Sequence, residues 1–191
     1  MPDISPEGIE FQVHKTREVK KEDLYSTLAA ADRQNLDLLV DAFEDISEND
    51  EVEGGMFVVG GILNKPHPRK DIDIVVYRGF PDAPATQTPL IEKSQLTLAN
   101  EKFAGLRLFA NEFVKRNPDF KIGNIIEPFE DENFDNPNIL RNTGSIEITR
   151  EGSTTLQLVN GYDGPVGSDK SDDRQFAVLT RVEKTPLATA A

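Results

Sequence analysis

The sequence contains no cysteine and no tryptophan, and only two histidines and two methionines. Without cysteine there are no disulfides, no thiolate metal sites and no cysteine nucleophile, and the redox compartment stays open. No stretch approaches the ~18 consecutive apolar residues that a membrane-spanning helix needs. The opening residues, MPDISPEGIEF, lack the basic start and apolar run of a secretory signal, so a cytoplasmic location is the default expectation. Positive charge is scarce: 21 Lys and Arg face 34 Asp and Glu, for a formal net charge of −13. Such a surface repels nucleic acid and anionic membranes, and only a local basic patch would hold a polynucleotide. A small nucleotide arriving with its own metal, or a protein partner, fits this charge better.

The 191 residues, 37% hydrophobic and 29% charged, fit a single globular domain. The pattern predicts an N-terminal arm over 1–20, one domain over 21–183 and a disordered tail over 184–191. In the arm, GIEFQVHK at 8–15 alternates like a short strand, with His14 exposed on it. Residues 21–47 carry a helical period, with Leu36, Leu39, Val40, Phe43 and Ile46 on one stripe. Asp32 is placed to cap a second helix within that span. A second long amphipathic helix is predicted over 91–116, with Leu96, Ala99, Phe103, Leu106, Phe109 or Ala110, and Phe113 inward, ending before Pro118. Strands are predicted at 56–59, 72–77, 120–126, 145–149, 154–159 and 176–183, with loops at 79–89 and 128–143. Helix, two strands, helix, then several strands is the order of an α+β fold, a mixed sheet covered by helices on one side.

The stretch that organises the chain is MFVVGGILNKPHPRKDIDIVVY, residues 56–77. An apolar run ends in Gly60-Gly61, and a second opens with Asp71 and Asp73 alternating with Ile72 and Ile74. Side chains of a strand alternate between faces, so Asp71 and Asp73 share one face. Two carboxylates roughly 6–7 Å apart repel by about 2–2.5 kcal/mol at an effective dielectric near 20. The pair therefore either solvates or takes a cation, and oxygen-only ligands suit Mg²⁺ or Mn²⁺. The glycines would let a phosphate approach backbone N–H groups closely. Lys65, Arg69 and Lys70, between the glycines and Asp71, add positive charge for phosphates, while His67 reads as an exposed loop residue. Metal and phosphate together suggest a nucleotide.

An apolar strand ending in Gly-Gly, about ten residues, and then Asp-x-Asp opening a second apolar strand resembles the polymerase-β-like nucleotidyltransferase superfamily. VVGGILNKPHPRKDIDIVV looks most like its CCA-adding and poly(A)-polymerase branch, and the likeness extends over about residues 32–160. The resemblance implies a nucleotidyltransferase-like core that transfers an NMP from an NTP, with two Mg²⁺ ions held by three strand carboxylates. Carried over, Asp71 and Asp73 would ligate metal, and Gly60 and Gly61 would seat the triphosphate. The hairpin GSIEITREGSTTLQLV is similar to the strands bearing the third acid, but it puts Gln157 where an Asp or Glu is expected. Glu147 on the neighbouring strand is the obvious substitute. A four-residue turn would pair Ile146 with Gln157 and turn Glu147 away; a turn one residue different would bring Glu147 onto the same face. No large helical domain is expected after the core, which with the acidic surface argues for a small-molecule or protein acceptor over a long nucleic acid. The alternative is a catalytically degenerate member serving nucleotide sensing or protein interaction.

Overall fold

A computed structural model describes residues 17–63, 70–78, 95–130, 140–142, 144–161 and 175–183. The segment read as a short strand at 8–15, the loop at 79–89 and the tail at 184–191 lie outside the described residues. The elements are β1 (Arg17–Glu18), α1 (Lys21–Thr27), α2 (Ala30–Asn49), β2 (Gly54–Val59), a 3-10 turn (Gly61–Leu63) and β3 (Asp71–Arg78). They continue with α3 (Gln95–Arg116), β4 (Phe120–Ile126), β5 (Phe129–Glu130), β6 (Leu140–Asn142), β7 (Ser145–Arg150), β8 (Thr155–Asn160) and β9 (Gln175–Val182). Seven strands form one mixed sheet in the order β1-β9-β2-β3-β8-β7-β4, and β5 and β6 pair as a separate ribbon. The β3–β8 and β1–β9 pairs are parallel and the others antiparallel.

Three helices pack against the sheet on one face. Alternation along the central strands sends Ile72, Ile74 and Val76 of β3, Leu156 and Leu158 of β8, and Ile146 and Ile148 of β7 into one core. They meet Leu36, Leu39, Val40, Phe43 and Ile46 of α2 and Phe103, Leu106, Phe109, Ala110 and Phe113 of α3. Ring contacts between Phe43 and Phe109 (5.6 Å, near perpendicular) and between Phe113 and Phe120 (5.0 Å) stitch the two helices to each other and to β4. No helix among the described residues is long and apolar enough to cross a membrane.

Two local expectations are corrected, and a register left open by the sequence is decided. The helix break falls at Leu28 and Ala29, both extended, so Asp32 sits inside the first turn of α2 and caps nothing. Its carboxylate reaches instead to the β7–β8 connection, accepting hydrogen bonds from the Thr154 backbone N–H (2.9 Å) and hydroxyl (2.8 Å). The loop read over 128–143 carries the two short strands β5 and β6. The β7–β8 hairpin pairs Ile148 with Leu156, one residue away from the register a four-residue turn over 150–153 would give.

Asp32 is 8% exposed, so its two hydrogen bonds form in a poorly solvated place. Asp32→Ala leaves the Thr154 donors without an acceptor and is expected to cost about 2–3 kcal/mol, read as a lower urea midpoint. Thr154→Val, which keeps the backbone N–H bond, should lose less. Equal stability of Asp32→Ala and the parent would contradict this tie.

Tyr25 of α1 donates its hydroxyl to Asp37 Oδ1 at 2.9 Å. Burial, then that hydrogen bond, and then the charges of Asp37 and Asp41 push its ionisation well above the ordinary value of 10.0. In the unfolded chain the phenol ionises near pH 10 while the folded one keeps its proton, so the unfolded state binds fewer protons there. The contribution is complete below pH 10 and is lost as the pH climbs beyond it. Denaturation midpoints between pH 8 and 11 should fall more steeply for the parent than for Tyr25→Phe.

Candidate functional site

The site is built where β2 ends and β3 begins. β2 runs out at Val59 opposite Asp73. Gly60 then turns the chain with φ +81°, in the left-handed region where a side chain is strained, and the 3-10 turn follows with Leu63 N–H donating to the Gly60 carbonyl. A Cβ at Gly60 would lie 3.0 Å from Asp73 Oδ2. Glycine is thus favoured by the backbone, and its lack of a side chain leaves room for the Asp73 carboxylate it faces. The two halves of the motif, ten residues apart or more in sequence, meet in space.

Laterally paired residues of a sheet share a face. Asp73 is paired with Val59 on one side and Gln157 on the other, and Val59 is paired with Phe176 and Gln157 with Glu147. The side chains of Phe176, Val59, Asp73, Gln157 and Glu147 therefore form one row across five strands, on the face turned away from α2 and α3. The row is apolar at one end and acidic at the other. Asp71, paired with Thr155, stands on the same face at the exposed mouth of β3. Lys70 is exposed beside it, and its carbonyl accepts from Thr155 N–H at 3.3 Å. Lys65 and Arg69 lie outside the described residues.

The register answers the question left open at Glu147: it shares the face of Asp73, with Gln157 between them. Strands spaced by about 4.8 Å put the Glu147 and Asp73 backbones roughly 9–10 Å apart. The Glu147 side chain leans the other way. Its Oε2 accepts from Asn124 N–H of β4 at 3.3 Å. The β4–β7 register shifts between Ile122 and Ile125, so Gly123 and Asn124 together stand opposite Glu147 as a β-bulge. A Cβ on Gly123 would come within 3.3 Å of both Glu147 Cβ and Oε2. The glycine in FKIGNII is a legible bulge signal, but nothing in the sequence says which side chain the bulge receives. Among the described residues no three His, Asp or Glu side chains gather closely enough to hold a metal. The oxygen donors on this face at the start of β3 are thus two carboxylates, Asp71 and Asp73, of which Asp73 faces the Gly60 turn, beside one neutral amide, Gln157, whose Nε2 points to Ser145 Oγ at a long 3.5 Å.

Gly144 and Phe103 also shape this site without touching it. Gly144 has φ +98°, and a Cβ there would fall 2.5 Å from Phe103 Cδ2 of α3. Its carbonyl accepts from Asn160 N–H at 2.9 Å, which fixes where β7 starts against β8 and with it the opposition of Glu147 and Gln157.

No family model matches the chain, and no curated protein or solved structure matches it either.

Proposed function

We propose that this chain binds a nucleoside triphosphate together with Mg²⁺ or Mn²⁺ on a nucleotidyltransferase-like core, as a nucleotide-binding or sensing module with little or no transfer activity. The observation that carries the reading is the close approach of the Gly60 turn, whose backbone has φ +81°, to the Asp73 carboxylate. In this reading Asp71 and Asp73 hold the cation, which when bound neutralises phosphate charge. Gly60 and Gly61 let phosphate oxygens reach the backbone, and Lys70 adds a positive charge at the mouth of β3. The donor set fits one such ion, since each of the two aspartates offers oxygen and charge without a third acid.

Transfer is the second reading, and one observation favours it: Glu147 stands in the same row and on the same face as Asp73. Against it stand the neutral Gln157 between them and the Glu147 bond to the β4 bulge. Incubation with Mg²⁺ and each of four α-labelled NTPs separates the two. The expected result is retained nucleotide with no label passed to the chain, to small hydroxyl or amine acceptors or to water. Rapid release of pyrophosphate would establish transfer in its place, and absence of any NTP binding would remove both readings.

A further inference from the structure

Two-ion phosphoryl chemistry needs a protein-held ion as well as the ion that travels with the phosphates, and the donors of this site do not provide for both. Resting on the nucleotide-binding reading above, we infer that the site takes a single divalent cation, only together with the triphosphate, and that Gln157 sets that number. The row places Gln157 directly beside Asp73, on the adjacent parallel strand, where a further anionic ligand would have to stand to serve an ion shared with the aspartates. An amide whose nitrogen is directed to Ser145 Oγ presents one neutral carbonyl oxygen to a cation. Glu147, the next acid along the row, accepts from Asn124 N–H and is seated against Gly123, so its charge is directed away from the aspartates.

Mg²⁺ and Mn²⁺ give up water reluctantly, and Mg²⁺ is commonly held by one or two carboxylates plus substrate phosphates and seldom by an all-protein cage. Two aspartates alone are therefore a weak seat for a free ion. The same two aspartates plus phosphate oxygens at the Gly60 turn complete a ligand set. Cation and nucleotide then bind as one unit, with each tightening the other by the same factor. Gln157→Glu keeps the side-chain length and adds a carboxylate next to Asp73. It should create the missing second seat.

Equilibrium dialysis of the full chain against Mn²⁺, with and without ATP, counts both ligands directly. The parent is expected to retain one Mn²⁺ and one ATP per chain when both are present, and to bind Mn²⁺ alone at least ~10-fold more weakly, the scale on which ligand-shell changes act on metal affinity. Gln157→Glu is expected to retain two Mn²⁺ per ATP, visible also as spin coupling between the ions in its electron paramagnetic resonance spectrum. Two Mn²⁺ per ATP in the parent would overturn the single-ion inference and leave nucleotide binding intact. Tight Mn²⁺ binding without ATP would overturn the coupling, and one Mn²⁺ in Gln157→Glu would overturn the role of Gln157. Retention of neither ATP nor Mn²⁺ by the folded parent would instead remove the nucleotide-binding reading itself.

Discussion

Gly144→Ala is expected to remove about 2–5 kcal/mol of folding stability, combining left-handed backbone strain of about 1–2 kcal/mol with an overpacking cost of about 1–3 kcal/mol. Both terms are visible in the geometry. Gly144 has φ +98°, and the new methyl would overlap the Phe103 ring, with 2.5 and 2.8 Å to Cδ2 and Cε2. Phe103 is 3% exposed and belongs to the central core, so it has no room to retreat. Against a total stability of roughly 5–15 kcal/mol for a domain, this is a large fraction. Urea denaturation reads it as a lower midpoint. Because the two residues share one space, Phe103→Leu plus Gly144→Ala should be less destabilised than the two single changes added together. A loss below about 1 kcal/mol in Gly144→Ala would show that α3 does not press on the start of β7 as described.

Asp71→Asn plus Asp73→Asn has the largest expected effect on binding. The two carboxylates share a face at the start of β3, and among the described residues no group of three or more acids or histidines offers another metal seat. Amides keep the shape and one oxygen each but remove both charges. Mg²⁺-dependent ATP affinity should therefore fall by at least ~100-fold, about 2.7 kcal/mol or more. The urea midpoint of the double variant, read beside the affinity, reports whether the fold is kept, which separates loss of a site from loss of the fold. Equal calorimetric affinity for Mg²⁺ and ATP in parent and double variant would rule these aspartates out as the metal seat.

Local patterns in the sequence carried much of this architecture. The apolar stripes of α2 and α3 fall at the three-and-four spacing that buries them, and the alternation in DIDIVV places Ile72 and Ile74 inward and the aspartates outward. What was not legible depends on contacts between distant segments. Nothing local says that β9 inserts beside β2 or that β8 runs parallel beside β3, because such pairings are decided by the whole sheet. The hairpin register was open because turn residues 151–153 allow more than one length; the Gly144 contact with Phe103, 41 positions away, goes with the register observed. The helix break at Leu28 and Ala29 has no proline or glycine to mark it, and Asp32 looked like a cap because its partner Thr154 is 122 residues on. Glu147 was expected as the substitute for the third acid; that it shares a face with Asp73 and bonds to the bulge at Asn124 depends on the pairing of β7 with two other strands.

The most direct test of the central claim is a calorimetric titration of ATP into the full chain, once with Mg²⁺ and once with EDTA. Saturable one-to-one binding with Mg²⁺ and none with EDTA is expected. Binding of equal strength in both, or no binding in either, would contradict that claim.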